Sequence, residues 1–162
     1  MERKAEMKAV PQSAEEQAQS CWALANSYFA AASRLLEEHV AETFLPSLFL
    51  LSHALELHLK SYLLSQGMSD RQLRSIGHDL LACLRACDER EFATHAALSW
   101  VELMQVARVN KYYKEKELEY FVPKAKRFGS VERLAETVDR VARAVANPIT
   151  ANSFNALSQP AI

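Results

Sequence analysis

Glycine and proline are scarce, three and five in 162 residues. An all-β protein needs these residues at its many turns, so their scarcity argues for long helices joined by few loops. The cysteines, Cys21, Cys83 and Cys87, are too sparse and odd in number for a secreted disulfide framework. Neither sign of charge dominates: 19 Lys and Arg stand against 20 Asp and Glu, a formal net charge of -1. Recognition of nucleic acid would therefore need a local patch rather than a charged whole. No run of about 18 uninterrupted apolar residues occurs, and the opening MERKAEMKAVPQSAEEQ has no apolar core of the signal-peptide kind. A cytoplasmic protein with no membrane span is expected. There is no glycine-rich phosphate loop and no G-x-S-x-G elbow. Cys83 and Cys87 lie four apart on one helix face without a CxxC pair or a His-x-x-x-His spacing nearby, and read as small buried hydrophobes. No metal and no cofactor is expected.

What is present is apolar material in helical order. Half of the chain, 49%, is hydrophobic, enough for one core in one domain. Ser13 precedes Glu16 by three residues, a capping-box signal, and Trp22, Ala25, Phe29, Ala32 and Leu36 recur at helical spacing behind it. The pattern predicts a first helix from about 14 to 39. A second, from about 43 to 66 and stopped by Gly67, is apolar almost all round, which places it in the middle of a bundle. The stretch GMSDRQLRSIGHDL reads as a turn-rich connection. A third helix begins near His78, a fourth spans roughly 95 to 110, and Ser130 caps a fifth carrying Val131, Leu134, Val138, Val141 and Val145 on one face. The expected fold is an all-α antiparallel, up-and-down bundle of about five helices. A flexible segment (1–13) precedes the domain (14–146), and a tail (147–162), extended or disordered, follows it.

The second helix carries ionisable groups inside its greasiest run, LSHALELHLKSYLL. His53, Glu56 and Lys60 share one narrow stripe, with His58 well away from it. One reading is a polar edge with a Glu56–Lys60 pair at i,i+4. The other is a buried network, with Glu56 kept charged by Lys60 and by a donor from a neighbouring helix, for which His78 is the natural candidate. From Arg108 to Arg127, seven basic residues (Arg108, Lys111, Lys114, Lys116, Lys124, Lys126, Arg127) stand against Glu115, Glu117 and Glu119, a local excess of +4. Tyr112, Tyr113, Tyr120 and Phe121 interleave with them. Cations for phosphates and ring faces for bases suit single-stranded nucleic acid; the same residues also cover the end of a bundle with their polar tips wet.

The runs HALELHLKSYL, GHDLLACL and ARVNKYYKEKELEY together resemble HEPN-like helical-bundle proteins over roughly residues 45 to 125. The resemblance implies an up-and-down bundle that commonly forms homodimers. It implies either a metal-independent RNase or a non-catalytic module that binds RNA, a nucleotide or a partner protein. Catalytic members carry an Arg followed, after about four to six residues, by a His. Arg34 with His39, Arg71 with His78 and Arg90 with His95 match that spacing, but none stands at the end of the penultimate core helix, where Arg108 is followed by Tyr113. A tyrosine, with a pKa near 10, is a poor general base at neutral pH. The expectation is therefore a binding module using Glu56, Lys60, His78, Arg108, Asn110, Lys111, Tyr113, Lys114 and Tyr120. Two alternatives stand beside it: an RNase with His78 and Arg71 or Arg108, and a purely structural or protein-interaction subunit.

Overall fold

The computed structural model describes residues 13–38, 40–120 and 125–157. Among them are seven α-helices, one short 3-10 turn (Ala41–Thr43) and no strand. The helices are α1 (Ala14–Glu37), α2 (Phe44–Ser65), α3 (Asp70–Ile76), α4 (Leu80–Asp88), α5 (Ala93–Ala96), α6 (Trp100–Tyr113) and α7 (Val131–Leu157). Alpha-helical architecture is thus as expected, with two short helices more than the apolar periodicity reveals. Residue His39, the segment 1–12, Phe121, Lys124 and the end of the tail (158–162) lie outside the described residues.

Helix α1 starts where Ser13 and Glu16 close a reciprocal capping box, Ser13 N–H to Glu16 Oε2 at 2.7 Å and Glu16 N–H to Ser13 Oγ at 3.2 Å. Helix α2 touches α1, α3, α4, α6 and α7, and so occupies the centre. Its Leu48, Leu51, Leu55, Leu59 and Leu63 are fully buried, each contributing about 1.5–3 kcal/mol relative to exposure. Pro46 sits in its first turn, where the missing N–H costs no intrahelical bond. The link between α2 and α4 is not wholly irregular: Ser69 and Gln72 form a second capping box and open α3. Gly77 ends α3 at φ 66° and ψ -134°, a left-handed conformation that a Cβ would strain. Asp79 then accepts from the N–H groups of Leu81 and Ala82 and starts α4.

Helices α4 and α6 end in the same device. After α6, the Glu117 N–H reaches the Tyr112 carbonyl and the Lys116 N–H the Tyr113 carbonyl, with Lys116 at φ 58°. After α4, the Phe92 N–H reaches Cys87 and the Glu91 N–H reaches Asp88, with Glu91 at φ 62°. These are Schellman closures made without glycine. The fifth predicted helix is longer than expected. Instead of ending at 146, α7 continues through Asn147 and Pro148 to Leu157, so 147–157 is helical rather than extended or disordered. Pro148 removes one backbone bond, about 3 kcal/mol in a helix interior. Burial of Ile149 in the core holds the helix across it, as does Thr150 Oγ1 donating to the carbonyls of Ala146 at 2.9 Å and Asn147 at 3.2 Å.

Candidate functional site

Glu56 is 2% exposed, and three donors converge on its carboxylate. Lys60 Nζ reaches Oε1 at 2.5 Å; the Tyr113 hydroxyl donates to Oε2 at 2.5 Å; His78 Nδ1 donates to the same oxygen at 3.0 Å. Burial alone would raise the Glu56 pKa, but the hydrogen bonds from Lys60, Tyr113 and His78 outweigh it and hold the pKa below the ordinary carboxylate value. Of the two readings of the polar stripe, the buried network is the one the structure holds. Donor logic fixes further protons. Tyr113 has given its hydrogen to Glu56, so its oxygen can only accept, and His53 Nδ1, at 2.8 Å, must be the donor. His53 stands edge-on to Tyr28 and stacks on Phe49. Burial lowers its pKa, with Glu56 opposing. Tyr113, buried against a carboxylate, has its pKa pushed far up, which removes it as a base. The His78 side chain is 42% exposed, so one imidazole edge is held by a buried carboxylate while the residue stays open to water.

The fold brings the sequence candidates Glu56, Lys60, His78 and Tyr113 together here, but not the remaining candidates. Asn110 locks α6 to the start of α4, its Oδ1 accepting from Leu80 N–H at 2.8 Å and its Nδ2 donating to Asp79 Oδ1 at 3.0 Å. Lys114 faces Asp79 at 3.7 Å. Arg71 is exposed on α3, and no hydrogen bond or ion pair among the described residues joins it or Arg108 to His78. Tyr120 is 66% exposed and apart from the cluster's bonds. Cys83 and Cys87 are fully buried, and burial pushes the Cys83 thiol up to about 12. Among the described residues no three His, Cys, Asp or Glu side chains are grouped to hold a metal, and no helix is long and apolar enough to cross a membrane.

Arg108 and Lys111 belong to a second place, on the other side of the last turn of α6. With Tyr112, Ala125, Arg127 and Phe128 they line an open cleft of about 630 Å³. Tyr112 and Phe128 stand edge to face, ring centroids 4.9 Å apart, and the Tyr112 hydroxyl accepts from Arg127 N–H at 3.2 Å. Lys111 Nζ lies 5.6 Å from the Tyr112 ring centre. Arg108, Lys111 and Arg127 make no ion pair with a described residue, whereas Lys114 is paired with Asp79 and Lys126 with Glu117. Of the seven cations in the segment, Lys114 and Lys126 are thus engaged, Arg108, Lys111 and Arg127 gather at the cleft with the two rings, Lys116 is exposed at the turn after α6, and Lys124 lies outside the described residues. Phe128 was not among the aromatics that sequence reading singled out. The signal for it was its place beside Arg127, two residues before the Ser130 cap.

Gly129 closes this region. A Cβ there would fall 1.9 Å from Gln105 Oε1, and Gln105 is committed, its Nε2 donating to the Ser130 carbonyl at 2.9 Å. Backbone and amide thus approach as closely as glycine permits, which fixes the arm 125–130 against α6. Comparison of the chain with family models, curated proteins and solved structures found no match.

Proposed function

We propose that this protein is a non-catalytic binding module of the HEPN-like kind whose ligand is single-stranded RNA, taken at the cleft between the last turn of α6 and residues 125–128. The observation that carries the reading is the cation trio: Arg108, Lys111 and Arg127 stand beside Tyr112 and Phe128 with no carboxylate partner among the described residues. Phosphates would meet the cations, and an unstacked base would meet a ring. The Glu56 cluster supports this from behind: Tyr113, anchored to it, sits next to Tyr112 and holds the turn that presents the trio.

The test is anisotropy of a labelled single-stranded RNA at low and moderate salt, with the same RNA followed on a gel. Salt-sensitive binding without cleavage, lost when Arg108, Lys111 and Arg127 are reversed to Glu, supports the module. Binding that survives the reversal rejects it.

A second reading, a metal-independent RNase, has one observation behind it: the Glu56 carboxylate orients the imidazole of the partly exposed His78. Among the described residues no arginine is hydrogen-bonded to that imidazole. Cleavage that disappears in His78→Ala would support it; cleavage unchanged in that variant would remove it.

A further inference from the structure

Trp100, the first residue of α6, is 74% exposed, the most exposed large apolar side chain among the described residues. The turn that carries it is fixed. Ser99 and Glu102 form a capping box, and Arg140 of α7 donates from Nη1 to both Glu102 carboxylate oxygens at 2.8 Å and from Nη2 to the Ala97 carbonyl. An aromatic ring held out into water on a preorganised turn loses little freedom when something settles on it.

Helical spacing places other exposed groups in line with that ring. At about 100° per residue, Met104, Ala107, Arg108 and Lys111 fall within about 80° of Trp100, so the five form one stripe along α6. Arg108 and Lys111 are exposed, Met104 and Ala107 half-buried, and the two cations belong to the basic cleft. The stripe itself carries no carboxylate: Glu102 lies on the far side of the helix and is neutralised by Arg140. At 1.5 Å per residue, Arg108 is about 12 Å and Lys111 about 16 Å along the axis from Trp100. Within the cleft, Tyr112 is 7% exposed and Phe128 half-buried, which leaves ring face for a single base. The neighbouring bases of a strand held there need a ring elsewhere along its path.

We propose that Trp100 is that second ring: single-stranded RNA leaves the basic cleft along the exposed stripe of α6 and lays a base on the indole. The proposal rests on the RNA reading of the cleft and adds to it a path, a length and a mode of contact. At 3.4 Å per stacked nucleotide, the span from Lys111 to Trp100 is about five nucleotides, and fewer when the strand is drawn out. The site therefore takes a strand of roughly four to six nucleotides. Cations at one end, an aromatic face at the other and no carboxylate between them match a polyanion whose every unit carries a flat base. The indole is uncharged and every base has a π-face, so this contact adds affinity without counterion release and without a demand for sequence.

Anisotropy of a labelled eight-nucleotide single-stranded RNA of mixed sequence, across a salt series, tests it. Beside the wild-type chain run Trp100→Ala, Trp100→Phe and the triple reversal of Arg108, Lys111 and Arg127 to Glu. The expected result is an affinity about 5- to 100-fold lower in Trp100→Ala, with the slope of log K against log salt unchanged. Trp100→Phe recovers most of that loss. An abasic strand of the same length binds wild type and Trp100→Ala alike. In a Trp22→Phe background, where Trp100 is the remaining tryptophan, the RNA quenches the indole emission. Wild-type affinity in Trp100→Ala overturns the inference, while loss of binding in the triple reversal keeps the cleft reading standing. An indole emission that saturating RNA leaves unchanged also overturns it, and leaves the ring to a protein partner. A wild-type chain that binds no RNA removes the cleft reading and this inference with it.

Discussion

His58 offers the most quantitative test of the core. It is 0% accessible, and neither ring nitrogen has a hydrogen-bond partner among the described residues. Burial pushes its pKa down from 6.5 to about 4, so the folded protein keeps it neutral where the unfolded chain takes up a proton. The linkage has a definite sign. The folded state binds fewer protons between about pH 6.5 and 4, so stability is complete above that window and declines as pH falls through it. At 1.36 kcal/mol per unit, the full loss is about 3 kcal/mol. His58→Leu removes both the titration and two unsatisfied polar atoms. Urea unfolding at neutral pH is expected to show the variant more stable by about 1–3 kcal/mol. At pH 5 the gap widens by roughly a further 2 kcal/mol, since the unfolded wild-type chain is then protonated by about 1.5 units' worth of driving force. His53, whose pKa burial also lowers, contributes alike to both proteins and cancels in the difference. A gap that stays constant from pH 7.5 to 4.5 would refute the claim that His58 is buried and neutral.

Removing the hub of the polar cluster is expected to be costly. Glu56→Ala leaves Lys60 and Tyr113 without their shared acceptor, and thermal or urea unfolding should show a loss of about 3–5 kcal/mol; because the Glu56 pKa is lowered on folding, that contribution is present above pH 4.5 and fades in the wild type as pH falls through the folded value. Lys116→Gly relieves the left-handed residue at the end of α6 and should stabilise by about 1 kcal/mol in the same assay. Gly129→Ala drives a Cβ into Gln105 and should destabilise by about 1–3 kcal/mol, with Gln105→Ala in the same chain recovering most of the loss.

The long elements were legible because their signals are local. The Ser13–Glu16 capping box, the all-round apolarity of α2 and the valine face of α7 are each written within a few neighbouring residues. Helix α3 carried an equally local signal, Ser69 three before Gln72, but its seven residues are too few for apolar periodicity to show. Where α4 and α6 end was hidden, since Glu91 and Lys116 occupy positions that usually announce themselves as glycine. The run of α7 past Pro148 depends on the burial of Ile149, a tertiary fact that outweighs the local penalty. In the site, helical spacing placed His53, Glu56 and Lys60 on one stripe, and the network they form agrees with it. Spacing could not say that adjacent tyrosines would part, Tyr113 going inward to Glu56 and Tyr112 to the cleft with Phe128. Nor could counting charges separate the paired Lys114 and Lys126 from the free Arg108, Lys111 and Arg127.

The salt dependence of RNA binding tests the central claim most directly. With three cations each displacing a counterion from single-stranded RNA, log K should fall against log salt with a slope of about −2, and neutralising Arg108, Lys111 or Arg127 one at a time to Gln should flatten it by roughly 0.7 each. Neutralising Lys114, already paired with Asp79, should change it far less. A slope near zero, or one that responds to Lys114 and ignores the trio, would contradict the assignment of the cleft as the RNA-binding surface.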